Sequence, residues 1–151
     1  MRLVVQRVSS ASVRADGAGL GAIGRGAVVL VGIRIDDGPK IVDRMAEKLF
    51  GLRYFDDAAG RTNLALTDVG GALLVVSQFT LLADVRRGRR PGFTDAAGPE
   101  VAEPLVERFV GRLRDLGAEG VTGRFGAAME VELVNDGPFT LVIDSGEELG
   151  R

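Results

Sequence analysis

Apolar and polar positions follow different rhythms along the chain, and each rhythm predicts a different element. Residues Arg2 to Val13 alternate, with Leu3, Val5 and Arg7 on one parity and Val4, Gln6 and Val8 on the other. A period of two predicts a strand. Asp16-Gly17 marks a turn, Leu20 to Ile23 a short return strand, and Gly24-Arg25-Gly26 another turn. Ala27 to Ile33 is almost continuously apolar, the pattern of a strand buried on both faces. Asp36-Asp37-Gly38-Pro39 breaks the chain, and the period then changes. Ile41, Met45 and Leu49 recur every fourth residue, with Val42 and Leu52 close by and Asp43, Arg44, Glu47 and Lys48 opposite. That is one amphipathic helix.

Arg53 to Phe55 returns to strand, 56–60 is a loop, and Leu64 to Leu66 is extended. Gly70-Gly71 precedes a second strand buried on both faces, Ala72 to Val76, which runs into Ser77-Gln78-Phe79-Thr80. Residues 84–98 read as a loop. A second helix carries Val101, Leu105, Phe109, Leu113 and Leu116 on one face, with Pro99 at its first position and Gly117 just past its end. Pro104 either delays the start of this helix to about Glu103 or bends it there, because proline lacks the N–H and crowds the preceding turn. Met129 to Val134 and Phe139 to Ile143 are strands joined by a tight turn at Asn135-Asp136-Gly137-Pro138. Phe-Thr-Leu occurs at 79–81 and again at 139–141, each time at an expected strand edge. The order is strands, helix, strands, helix, strands. It predicts one domain over residues 1–146 and a frayed tail over 147–151.

Composition narrows the chemistry. The chain has 151 residues, no His, no Cys and a net charge of −2. It can build neither a Ser-His-Asp triad, nor a Cys-His pair, nor a His/Cys zinc site, and no metal or cofactor is expected. A hydrolase on this chain must use a carboxylate, water, the substrate or backbone groups. Any contact with nucleic acid must come from a local patch, and Arg86, Arg87, Arg89 and Arg90 form the evident one. The excess of Arg over Lys, with Lys40 and Lys48 the only lysines, is explained by a GC-rich genome before any function. The start alternates instead of forming a continuous apolar run, so it is not a signal peptide. No segment reaches the ~20 apolar residues of a membrane span. We read the chain as soluble and cytoplasmic.

Ser77-Gln78-Phe79-Thr80 places polar groups at the end of a buried strand. Such groups must be hydrogen-bonded or face a cavity. The residues alone leave open a strand end capped by hydroxyls. They equally leave Asn135-Asp136-Gly137-Pro138 as an ordinary hairpin turn, and the arginine cluster as a solvated loop.

Together these segments resemble one family. Ser77-Gln78-Phe79-Thr80-Leu81 and Asn135-Asp136-Gly137-Pro138-Phe139-Thr140 are similar to the two motifs of the D-aminoacyl-tRNA deacylases. So are Met1-Arg2 with Gln6-Arg7-Val8, Leu52-Arg53-Tyr54-Phe55, Asp68-Val69-Gly70-Gly71, Gly88-Arg89-Arg90-Pro91 and Thr122-Gly123-Arg124-Phe125-Gly126. The likeness covers nearly the whole chain. Gly92 stands where a Ser is expected, and Ala128 where an acidic residue is expected.

The resemblance implies an α+β fold, with mixed and antiparallel sheets forming a barrel-like core and two amphipathic helices packed outside. It implies a homodimer acting on aminoacylated tRNA, with its active sites at the subunit interface. Gly137-Pro138 would be a cis dipeptide inserted into the other subunit's pocket. Ser77, Gln78, Phe79 and Thr80 would line that pocket as the catalytic segment. Arg7, Asn135 and Thr140 would support the dipeptide, and Phe125 and Met129 would neighbour the terminal adenosine. Backbone N–H groups near Phe79 and Thr80 would then stabilise the oxyanion. Water, helped by the substrate's vicinal 2′-hydroxyl, would attack, because Thr80 lacks a base. An L side chain would clash with backbone while a D side chain or glycine passes. Two alternatives stand beside this: a related editing family that removes L-alanine from threonine tRNA, with Pro where Ser77 stands, and a non-catalytic nucleic-acid-binding dimer.

Overall fold

The computed structural model describes residues 1–148, without the side chains of Glu147 and Glu148. The long strand β1 (Arg2–Ala15) is its spine. The first half of β1 pairs antiparallel with β3 (Gly26–Gly32), the second half with β2 (Ala18–Ile23), and nearly its whole length with β8 (Met129–Asp144). β3 runs parallel to β6 (Ala72–Ser77), and β6 parallel to β7 (Glu119–Thr122). The sheet curls until β2 approaches β7, where a β-carbon on Gly21 would lie 2.8 Å from the Val121 side chain. The result is the expected α+β architecture, a nearly closed mixed barrel. β4 (Arg53–Asp56) and β5 (Thr62–Ala65) form a separate antiparallel pair.

The helices α1 (Pro39–Gly51) and α2 (Pro99–Asp115) pack side by side outside the barrel. They bury Val42, Met45, Ala46 and Leu49 from α1, and Ala102, Leu105, Phe109 and Leu113 from α2. Full burial of a side chain such as Phe109 contributes about 1.5–3 kcal/mol. Outside, Arg108 forks onto Asp43 and Arg112 meets Glu47. Exposed pairs of this kind are worth about 0–1 kcal/mol each and mainly fix the pairing.

β3 and β6 justify their continuous apolar sequences. Ala27, Val29, Val31, Leu73 and Val75 face the helices, while Val28, Leu74 and Val76 face the second core inside the barrel. β1 serves the same two cores, Leu3 and Val5 joining the first and Val8, Ala11 and Val13 the second.

Four expectations are corrected. The segment Asn135-Asp136-Gly137-Pro138 is not a hairpin turn, because both of its flanks belong to β8 and pair with β1 in one direction. Gln6 faces Thr140 and Val8 faces Asn135, so the intervening residues of β8 bulge out of the ladder. The second Phe-Thr-Leu therefore lies inside a strand, not at its edge. α2 starts at Pro99 and not near Glu103; Pro104 falls in its second turn, exposed, so only one hydrogen bond of an early turn is lost. Val101 is 43% exposed, and Ala102 takes the inward position. Beyond β8, α3 (Ser145–Glu148) begins at Ser145, whose hydroxyl accepts from the Met1 amino group at 2.8 Å and whose N–H donates to the Met1 carbonyl at 2.9 Å. Residues 149–151 lie outside the described residues.

β7 was not anticipated. Gly120 adopts φ +155°, and a β-carbon there would sit 1.9 Å from the Leu73 carbonyl oxygen. The pairing depends on a missing side chain, which leaves no apolar period to read. Among the described residues, no helix is long and apolar enough to cross a membrane.

Candidate active site

The site forms where the parallel strands β3 and β6 end together, with Val31 opposite Ser77. The Gln78 N–H donates to the Val31 carbonyl at 2.7 Å, and the chain then leaves the sheet into a 3-10 turn, Phe79–Leu82. Gly32 permits this close crossing, since a β-carbon there would meet the Gln78 carbonyl oxygen at 3.2 Å and Leu81 at 3.3 Å. A helical turn leaves its first N–H groups without intrahelical acceptors. Phe79 and Thr80 open this turn, so its free donors lie beside Ser77 and Gln78.

These residues border a cavity of about 510 Å³, in the range that holds small ligands. Val31 of β3, Ile33 just beyond it, Ala97, and Pro99, Ala102 and Val106 of α2 form apolar walls. Phe125, Met129 and Val131 close another side, and Ser77, Gln78 and Phe79 contribute to the rim. The structure thus brings Ser77, Gln78, Phe79, Phe125 and Met129 around one space. Thr80 stands exposed and does not line it, but its hydroxyl oxygen accepts a hydrogen bond from the Gln78 amide. An amide is not a base, so Thr80 has no activating partner there.

The second motif is built as a braced bulge. The Gly137–Pro138 peptide is cis, as the resemblance implies, and Gly137 takes φ +150°. Arg7, only 7% exposed, donates to the Asp136 carbonyl at 2.9 Å and to the Tyr54 carbonyl at 3.1 Å. Its guanidinium also lies 3.3 Å from Asp56, 3.6 Å from the Asp136 carboxylate and 4.8 Å from the Phe139 ring centre. The Asn135 amide donates to the Arg7 and Phe139 carbonyls and accepts from the Phe139 N–H at 3.1 Å. Thr140, exposed, accepts from Gln6 at 3.3 Å. Gly137 and Pro138 are exposed, and none of residues 135–140 lines the cavity of its own chain.

The arginine cluster lies on a tongue closed by mutual hydrogen bonds between Asp84 and Gly92. Arg86 is forked onto Asp84 at 2.9 and 2.7 Å, which holds the Asp84 carboxyl well below the usual carboxylate range. Arg87, Arg89 and Arg90 are exposed. At Gly92 a β-carbon would meet nothing closer than 3.9 Å, and Ala128 is exposed, so neither departure from the expected pattern is imposed by packing.

Sequence reasoning missed the Tyr54 carbonyl and Asp56 as Arg7's partners, and the walls supplied by Val31, Ile33, Ala97, Ala102 and Val106. Ala102 and Val106, spaced by four on one helix, carried a readable signal. The loop residue Ala97 carried none.

This arrangement of fold and paired motifs belongs to a known class. The D-Tyr-tRNA(Tyr) deacylase family matches residues 4–144. The chain belongs to that family, whose members hydrolyse the ester of an aminoacyl-tRNA. A D-aminoacyl-tRNA deacylase of Anaeromyxobacter dehalogenans (strain 2CP-C) is 59% identical over 145 residues, 96% of this chain and 97% of its own. One from Symbiobacterium thermophilum is 58% identical over 145 residues, 96% of each chain. A solved structure described as a c-Myc DNA unwinding element binding protein superposes with a TM-score of 0.90 at 39% identity, over 95% of this chain and 98% of that one. Another, of a probable eukaryotic D-amino acid tRNA deacylase, shares the fold with a TM-score of 0.82 at 17% identity, over 94% and 97%.

Proposed function

We propose that the protein hydrolyses the ester between a D-amino acid and the 3′ end of tRNA, working as a homodimer in which each subunit completes its partner's site. The observation that carries the second half is the separation of the two motifs. Ser77, Gln78 and Phe79 line the cavity, while Gly137 and Pro138 project from β8 and do not line it. A second copy supplies the dipeptide. Val134 and Val142, 57% and 64% exposed on either side of the bulge, offer apolar surface for that contact. β8 pairs with β1 and with no other described strand, so one edge of it is open.

The free N–H groups at Phe79 and Thr80 face the ester oxygen that becomes negative, and one such donor supplies ~3 kcal/mol of transition-state stabilisation. Water attacks, assisted by the vicinal 2′-hydroxyl of the terminal ribose. Thr80, which among the described residues receives only the Gln78 amide, positions substrate. Phe125 and Met129 hold the adenosine. The carbonyls of Gly137 and Pro138 accept the α-ammonium of the substrate. With that group and the ester fixed, an L side chain meets backbone, whereas a D side chain or glycine does not.

A deacylation time course on D-tyrosyl-, L-tyrosyl- and glycyl-tRNA tests this. Loss of the D and glycyl esters with the L ester spared is expected. Retention of all three without hydrolysis contradicts it and favours a binding protein, and cleavage of an added L-alanyl ester instead favours the related editing activity, against which Ser77 stands.

A further inference from the structure

We infer that the tongue 84–92 and the aromatic pair at its base form a docking surface for the phosphate backbone of the tRNA 3′ end, an inference that rests on the proposed function. The tongue is anchored to the catalytic segment and not merely near it in sequence. Phe93, at its base, packs edge-on against Phe79 with ring centres 5.0 Å apart. Phe79 is itself 55% exposed while contributing to the cavity rim, an unusual exposure for a large aromatic and one suited to stacking a base. Behind the tongue, Ile35 and Ala97 N–H groups bond to Asp95 and Ile33, tying the segment to the end of β3. Gly88, at φ +72°, turns the tip.

The four arginines are not equivalent. Arg86 is neutralised by Asp84 and serves the tongue's own shape. Arg87, Arg89 and Arg90 are exposed and make no ion pair with a described residue. They are three cations on a tongue whose base, through Phe93, packs against Phe79 of the cavity lining. Phosphate contacts of this kind position the substrate without reading its sequence.

The test compares the Arg87→Ala/Arg89→Ala/Arg90→Ala variant with wild type, by binding of uncharged tRNA across a salt series. The logarithmic salt slope is expected to become shallower by about 2, from three contacts at about 0.7 each on a single strand. The kcat/KM on D-tyrosyl-tRNA should fall at least ~10-fold relative to that on D-tyrosyl adenosine, a minimal ester that never reaches the tongue. The charge-neutral pair Asp84→Asn/Arg86→Gln should leave the slope in place. An unchanged slope in the triple variant, or an equal drop in the Asp84/Arg86 pair, overturns the assignment. Failure of the wild type on D-tyrosyl-tRNA instead overturns the proposed function, while the binding slope still judges the tongue.

Discussion

Replacing Arg7 by alanine removes two hydrogen bonds from a charged donor to backbone carbonyls, those of Asp136 and Tyr54, at 2.9 and 3.1 Å. The Tyr54 bond is buried, where a lost hydrogen bond costs most. The neighbouring carboxylates add little, because Asp56 and Asp136 are 45% and 50% exposed and such pairs are worth about 0–1 kcal/mol. The face of Phe139 at 4.8 Å adds about 0.5–1 kcal/mol. The combined loss is about 3–5 kcal/mol, a large part of a domain's typical stability of about 5–15 kcal/mol. In urea, with a slope near 2 kcal/mol per molar, the midpoint should fall by about 2 M. Arg7→Lys keeps the charge but reaches one carbonyl, so it should recover about half of that. Deacylation should fall in the same order, since Arg7 fixes the bulge that carries Gly137 and Pro138. A midpoint shift below about 0.5 M in Arg7→Ala, with turnover intact, would refute the view that this side chain holds the second motif in place.

Gly137→Ala should lower turnover on every D-aminoacyl substrate by ~100-fold or more and stability by about 1–3 kcal/mol, because its β-carbon would sit 2.6 Å from the Phe139 nitrogen at φ +150°; normal turnover counts against the proposed geometry. Tyr54→Phe should be neutral or stabilising by up to about 1 kcal/mol in urea, because the buried phenol has no hydrogen-bond partner among the described residues and burial pushes its pKa up; a clear loss would reveal a bond not seen here. Asp144 responds to pH: burial is the largest single influence and pushes its pKa up, but hydrogen bonds from Arg34, the Gly146 N–H and Arg2 outweigh it and hold the group at about 2. A depressed folded pKa gives stability that is full above about pH 4 and lost as pH falls toward 2. Asp144→Asn should therefore cost about 1 kcal/mol at pH 7, allowing for screening, and flatten acid unfolding in that window; an unchanged acid limb would contradict this.

Much of the fold was legible because the apolar pattern coincides with two-sided burial. The runs 27–33 and 72–76 are continuous because β3 and β6 each separate two cores. α1 was legible because its face is regular. The bulge was not, because Asn-Asp-Gly-Pro has the same composition in a tight turn and in a loop-out from a continuous strand. What decides between them is pairing with β1, more than a hundred residues away in sequence. The sequence likewise placed Ser77 to Thr80 at a strand end, yet the role of Gly32 in letting that segment cross β3 and the locking of Arg86 by Asp84 are three-dimensional facts. Glycines that permit close approach leave no periodic trace, and Gly120 hid β7 for that reason.

The proposed exchange of motifs between subunits is tested most directly by mixing two inactive variants. One carries Gly137→Ala, which spoils the inserted dipeptide. The other carries Ala127→Trp, which fills the cavity that Ala127 lines. If each dipeptide serves the partner's pocket, co-expressed mixed dimers contain one intact site and should hydrolyse D-tyrosyl-tRNA at about a quarter of the wild-type rate, half the dimers being mixed with one good site in two. If each dipeptide served its own pocket, every site would carry a defect, and a mixture with no activity above its parents would contradict the account.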